Sequence, residues 1–314
     1  MRIPLFFLAF LGGSSALAAT SYPVSIAHSS GTTVVRARPL RVVALGPHAL
    51  DLLLSLGIQP VGYGEASTFI KTPAFGSPIR DIRVLGSRVT SNPVNVGDRF
   101  SPSLEILASL KPDLIVGEDY AAQVYPQLSR IAPTLLFKGI DRSEWQKTLP
   151  LLAKAVDREA AYANVLKSYA ANVQATRSVL APRFGNQTVL VVWTGGGEGK
   201  NTFNVSRRSD WTGGLLSDLG LNVIDGDKTD KAESVLSVEG LVALNPDVVL
   251  VLASGTSTPA RARADWNSGA LTSRLQASRK GQVFFLDYHL FRRIRGPIAA
   301  QLIERQLIKD MAPH

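Results

Sequence analysis

The sequence predicts an α/β protein of two lobes joined by a long helical connector, and three observations carry that prediction. Over most of the chain, short β-rich runs alternate with amphipathic segments, the pattern of parallel α/β units. Between residues 142 and 181 the strand signal disappears, and Leu, Ala, Val and Tyr recur at helical spacing among Lys, Arg and Glu. One pattern, S-x-E-x-L-x-x-L-x-P-D, occurs once in each half, as an internal repeat of two related units requires. The length of 314 residues suits two compact units at roughly 100 to 200 residues each.

The elements follow in order. Met1 and Arg2 precede an apolar run, residues 3 to 11, and then small residues ending in Ala16-Leu17-Ala18, which reads as a secretory signal (1–18) cut after Ala18. A membrane anchor is the competing reading, but the run falls short of the roughly 20 apolar residues a spanning helix needs, and Gly12-Gly13-Ser14-Ser15 interrupts it. The first lobe, 19–141, opens with a buried strand at 41–45, a helix at 49–56 closed by Gly57, and a strand beginning at 60–63. Residues 64–95 are rich in Gly, Pro, Ser and Thr and read as loop, the usual carrier of binding residues. Strands at 114–117 and 134–137 complete the lobe. In the connector, 142–181, Leu149, Leu152, Ala153 and Val156 form one apolar stripe, and Ala163, Leu166, Tyr169, Ala170 and Val173 another. The second lobe, 182–314, has strands at 188–193, 247–252 and 282–286.

Composition removes whole classes of function. With 45% apolar and 19% charged residues the chain holds a sizeable core and is not disordered. It has no cysteine, which excludes disulfides, iron–sulfur clusters, thiolate zinc sites, a cysteine nucleophile and a lipid-anchored cysteine. An exported chain without that cysteine is expected to be soluble in the periplasm. The formal charge of +9 calls for an anionic partner. For an exported protein that means a small anion or a membrane rather than nucleic acid. The four histidines, His28, His48, His289 and His314, never stand at the i, i+4 spacing of a helical zinc site, so no metal bound directly by the protein is expected. The run Gly195-Gly196-Gly197-Glu198-Gly199-Lys200 fails as a phosphate loop. Three residues, not four, separate Gly195 from Gly199, and Asn201 stands where Ser or Thr is needed. No G-x-S-x-G elbow appears, so an exported α/β enzyme is the weaker alternative.

In the repeat, Ser103 to Asp113 matches Ser237 to Asp247 position by position. Each copy reads as a short helix stopped at Pro112 or Pro246, because a proline disfavours helical geometry in the residue before it. A weaker echo joins Leu56-Gly57-Ile58 to Leu219-Gly220-Leu221 at a different offset, so the lobes carry different insertions. Glu105 and Glu239 fall in the first turns of the repeated helices. Favouring the helix dipole is their simplest role, worth roughly 0.3 to 1 kcal/mol. A pair of exposed carboxylates, one per lobe at a fixed separation, has a second use: engaging arginines on a symmetric partner.

The stretches RVVALGPHALDLLLSLGIQPVGYG, NVGDRFSPSLEILASLKPDLIVG, SVEGLVALNPDVVLVL and GQVFFLDYHLF resemble the periplasmic substrate-binding proteins of iron-siderophore, haem and cobalamin importers. Within that group they are most similar to receptors for ferric hydroxamate and ferric citrate complexes. The resemblance spans nearly all of the chain after the signal. It implies two Rossmann-like lobes, a rigid connecting helix, a shallow cleft between the lobes, no catalysis and no resident cofactor. It also implies a monomer that captures a ferric-siderophore complex and hands it to the permease dimer of an ABC transporter. Gly46-Pro47-His48 departs from the Glu-Trp or similar pair that often follows the first strand in the family.

Under that resemblance Glu105 and Glu239 become permease-docking residues. Arg99, on the loop before Ser101-Pro102, becomes a clamp on the iron-bound oxygens; its alternative is an internal salt bridge with Asp98 or Asp113. Basic loops at Arg80, Arg83 and Arg88, at Arg207 and Arg208, and at Arg292, Arg293 and Arg295 flank the expected cleft, with Arg207, Arg208 and Arg292 as ligand contacts. Tyr120, Trp193 and Tyr288 follow strands and offer rings with polar tips. Trp211 fits a packing role at a helix start as well as a cleft role. A haem reading remains as the alternative, through His48 from one lobe and Tyr288 or His289 from the other.

Overall fold

The computed structural model describes residues 20–65, 77–193, 202–226 and 234–312, so the leader at 1–18 and the glycine-rich run at 195–200 lie outside the described residues. An antiparallel hairpin, β1 (Val24–His28) and β2 (Gly31–Val35), precedes the first lobe. That lobe is built on β3 (Val42–Leu45), β4 (Gly62–Gly64), β5 (Val94–Asn95), β6 (Leu114–Glu118) and β7 (Thr134–Phe137), all parallel in the order β5-β4-β3-β6-β7. The connections carry α1 (Pro47–Ser55), the short α2 (Pro78–Asp81), α3 (Leu104–Leu110) and α4 (Tyr125–Ile131). Every residue of β3 and β6 is buried, as a parallel sheet covered on both faces requires. The strand order reverses between β3 and β6, and a crevice at the carboxyl ends of strands forms at such a switch point.

The connector is two helices rather than one, α5 (Glu144–Ala155) and α6 (Glu159–Phe184). They part where Asp157 takes a positive φ of 55°, a conformation that no helix interior accommodates. The stripe at Leu149, Leu152, Ala153 and Val156 is fully buried. On α6 the expected stripe is half right: Leu166, Tyr169 and Val173 pack on the core, whereas Ala163 and Ala170 face solvent. The long helix lays one narrow seam on the core, and that seam continues to Thr176, Leu180 and Phe184.

The second lobe contains β8 (Thr188–Trp193), β9 (Thr202–Val205), α7 (Trp211–Asp218), β10 (Asn222–Val223), β11 (Ser234–Ser237), α8 (Val238–Leu244), β12 (Val248–Ala253), α9 (Pro259–Ser268), α10 (Gln276–Arg279), β13 (Val283–Asp287), a π-helical turn at His289–Ile294 and α11 (Pro297–Met311). Its sheet runs β11-β9-β8-β12-β13, with β10 also on β8; β8, β10, β12 and β13 are parallel, and β9 and β11 are antiparallel to their neighbours. No helix among the described residues is long and apolar enough to cross a membrane.

The repeat is realised down to its caps. Ser103 Oγ accepts from Ile106 N–H at 3.3 Å and Ser237 Oγ from Gly240 N–H at 3.1 Å, so α3 and α8 start with the same N-cap. Both end in a left-handed residue, Lys111 at φ 45° and Asn245 at φ 40°, before the proline. The aspartates closing the motif then tie the start of a neighbouring strand: Asp113 accepts from the N–H groups of Leu40 and Arg41, and Asp247 from Thr188.

Several contacts fasten the lobes besides α6. After β7 the chain pairs with the second lobe, Trp211 N–H donating to Ile140 O at 2.8 Å and Arg142 N–H to Ser209 O at 2.9 Å. Asp51, in the middle of α1, accepts from Ile298 N–H at 3.0 Å and Ala299 N–H at 2.7 Å, and so caps the amino end of α11 from the other lobe. A Cβ at Gly296 would meet the Asp51 carboxylate at 2.5 Å, so this approach needs glycine. One apolar core runs from α1 and β3 through α5 and α6 to β8, β12 and α11.

Candidate functional site

Gly46 ends β3 with φ 106°, a conformation open to glycine, and α1 starts at the next residue. The space beside it is taken by two side chains: a Cβ at Gly46 would meet Arg99 Cδ and Glu118 Oε2, each at 3.3 Å. Arg99 lies on the loop after β5, inside the span closed by the Gly97–Pro102 bridge, and α3 begins at Leu104, capped by Ser103. Its guanidinium donates through Nη1 to Glu118 Oε2 at 2.9 Å and sits 4.7 Å from the Tyr120 ring centre and 4.8 Å from that of Phe100. The expected alternative partners do other work: Asp98 accepts from Phe100 N–H and Asp113 caps the strand start. The ion pair that Arg99 makes is with Glu118 at the end of β6.

Glu118 also takes Arg295, from beyond the π-helical turn, on its other carboxylate oxygen. It therefore joins one arginine from each side of the molecule while itself only 2% exposed. Burial pushes its carboxyl up, but Arg295 and Arg99 outweigh that and hold it below the ordinary carboxylate value. For Arg295, burial favours the neutral form and Glu118 reverses it, so the guanidinium stays charged. A second link crosses nearby, where Arg293 Nη2 meets Glu65 Oε1 at 2.5 Å and Tyr63 Oη donates to Glu65 Oε2 at 2.9 Å. Arg83 reaches across to Asp287.

On the second lobe, Arg292 Nη1 donates to Asp210 Oδ2 at 2.7 Å, and its guanidinium stacks 4.4 Å from the Trp193 ring centre. Trp193 and Tyr288 pack at 5.9 Å between ring centres. Asp210 is the N-cap of α7, accepting from Gly213 N–H, and also receives Arg207 N–H at 3.0 Å. Trp193, Tyr288, Arg292 and the buried Arg207 are thus gathered around Asp210 and the ends of β8 and β13. Arg208 is not part of that group, because its exposed side chain turns to Asp225 at 3.6 Å. Arg80 is exposed and pairs with Asp81. Trp211 is 1% exposed and packs in the core.

Of the residues on which the haem alternative rests, the two histidines are buried, and Tyr288 stays half-buried beside Trp193. His48 is not on an open loop but in the first turn of α1, 1% exposed, with Nδ1 bonded to Ile294 O at 3.1 Å. His289 is 2% exposed, its Nε2 3.9 Å from Glu65 Oε2. Burial, opposed by Glu118 at His48 and by Glu65 at His289, lowers both imidazoles to about 4, so they are neutral groups, and both rings are packed inside the fold. Glu105 and Glu239 are both exposed on the first turns of α3 and α8.

Sequence reasoning missed Glu118, Glu65 and Asp210, the acids that hold the arginines, and preferred Arg292 to its neighbour Arg295. Glu118 stands two residues before Tyr120, at the end of an apolar run, which is the one local signal it carries.

Two α/β sheets whose carboxyl ends converge on paired arginines and aromatic rings define a two-lobed ligand-binding protein. Residues 42–290 match the periplasmic binding protein family, and the chain belongs to that family. It is 27% identical over 286 residues to the Fe(3+)-citrate-binding protein YfmC of Bacillus subtilis, covering 90% of this chain and 84% of that one. It is 26% identical over 310 residues to the Fe(3+) dicitrate-binding periplasmic protein FecB of Escherichia coli, covering 97% and 96%. Among solved structures, SirA of Staphylococcus aureus complexed with staphyloferrin B superposes with a TM-score of 0.72 at 26% identity, covering 91% of this chain and 97% of that one.

Proposed function

We propose that this protein captures a ferric complex of an oxygen-rich, carboxylate-bearing chelator in the periplasm and delivers it to the permease dimer of an ABC importer. The observation that carries the reading is the bridge Arg99–Glu118–Arg295 beside Tyr120, together with Arg292 stacked on Trp193 at the end of β8. Planar, permanently charged forks held by buried acids are pre-organised for ligand oxygens and need not displace the chelator from iron. Arg99, Tyr120, Trp193, Arg207, Tyr288 and Arg292 are the ligand contacts, Arg295 joins them, and Arg208 steers from the rim. Relatives that bind ferric citrate support the ligand class. The iron is cargo, no resident cofactor takes part, and no bond is made or broken.

The leader 1–18 is removed, and the mature monomer is soluble, with no lipid anchor. Its working units are a first lobe at 19–141, a connector at 142–181 and a second lobe at 182–314. Titration with ferric citrate, followed by tryptophan fluorescence, tests the reading, because Trp193 lies under Arg292. Saturable quenching by the ferric complex and none by haemin is expected. An unchanged signal, with no heat of binding by calorimetry, overturns it.

A further inference from the structure

The helix α1 starts at the cleft floor and, about 13 Å further on, ends at an open groove between α6 and α11. That groove holds a cavity of about 460 Å³, and a smaller one of about 180 Å³ continues it, sharing Asn172, Gln301 and Glu304. One wall is hydrocarbon, from Leu54, Val165 and Ile298. The same lining carries Glu304, a carboxyl group in the middle of α11 that is 3% exposed and whose Oε1 has no hydrogen-bond partner among the described residues. Burial pushes this group up to about 7, with only Arg305 on the same helix pulling it down. A buried acceptor left unmatched is costly, and nothing in the cleft chemistry uses it. The opposite charge lines the same groove: Arg88 spends one of its five donors on Gln301 Oε1, at 3.2 Å, and makes no ion pair with Glu304.

We propose that this groove is a second binding site, for a small amphoteric molecule whose ammonium group meets Glu304 and whose carboxylate meets Arg88 across a short hydrocarbon chain. The apolar wall suits the methylenes, and the two charges fix the direction of the chain. An ammonium donor supplies Glu304 Oε1 with the partner it lacks and favours the ionised carboxylate.

Calorimetric titration of the mature protein with 6-aminohexanoate, hexylamine and hexanoate tests the site. Saturable binding of 6-aminohexanoate in the millimolar range is expected, with each single-charge analogue weaker. Glu304→Gln should weaken 6-aminohexanoate and hexylamine by about ten- to a hundredfold, the usual effect of losing one charged hydrogen bond, and leave hexanoate unchanged. Arg88→Gln should do the converse. Gln matches Glu in shape, and an unchanged melting temperature checks that the variant folds. Ser168→Trp, which fills the groove from the exposed side of α6, should abolish binding in any case. Absence of saturable binding, meaning a groove that holds only water, overturns the proposal. Binding that none of the three variants changes overturns it equally.

Discussion

Arg99 shows how one residue can be both structural and ligand-facing. It is 6% exposed, ion-paired to Glu118 and enclosed by two rings, so it is not the loose loop side chain that its sequence position suggests. Removing one partner of a buried pair typically costs about 3–5 kcal/mol, because the other charge is stranded. Here Glu118 keeps Arg295, so the loss is smaller and the fold survives. Arg99→Ala should therefore lower the melting temperature modestly and weaken ferric-complex binding by about ten- to a hundredfold. Calorimetry below the melting transition measures the affinity of the folded variant, and wild-type affinity there would remove Arg99 from the ligand contacts. The departure at Gly46-Pro47-His48 also finds its physical role at this scale. Glycine leaves room for the Arg99–Glu118 pair, and His48 turns inward to hold the Ile294 carbonyl.

At the scale of elements, α3 and α8 are two copies of one device. The same serine cap, left-handed terminus, proline and strand-tying aspartate recur. Seven-residue helices gain little from propensity alone, so their caps matter to where each first turn points. Both first turns present a glutamate to solvent, and exposed Leu104 and Phe100 near the first and Val242 and Val235 near the second give each an apolar surround. Docking through this pair predicts that Glu105→Ala with Glu239→Ala stops iron uptake by cells while the purified protein binds ligand like wild type. Either single change should impair uptake less. Normal uptake by the double variant, accompanied only by a small loss of thermal stability, would reduce both residues to helix-dipole partners worth about 0.3–1 kcal/mol each.

For the whole molecule the question is how far the lobes can move. The helical connector restrains hinge motion less than the full set of crossings does: the backbone pair at Ile140 and Trp211, the Asp51 cap on α11, His48 on Ile294, and the Glu118–Arg295 and Glu65–Arg293 pairs. A core continuous from one sheet to the other resists shear as well. Solution scattering should therefore show nearly the same radius of gyration with and without ferric citrate. A large compaction on adding the ligand would mean that these crossings break on binding.

What the sequence determined by itself is whatever short-range pattern encodes. Alternating β-rich and amphipathic runs specify the α/β lobes, a strand-free stretch specifies the connector, and S-x-E-x-L-x-x-L-x-P-D specifies two capped helices, because caps, prolines and periodicity act within a few residues. Only the tertiary structure decided which groups face each other. Arg295 and Glu118 are 177 residues apart, Arg293 and Glu65 228, and Asp51 and Ala299 248. Such pairs leave no periodic trace in the chain. The same distance effect made His48, a cleft residue only under the haem alternative, a buried neutral one and set Arg208 apart from Arg292, since burial depends on what the rest of the fold lays over a position.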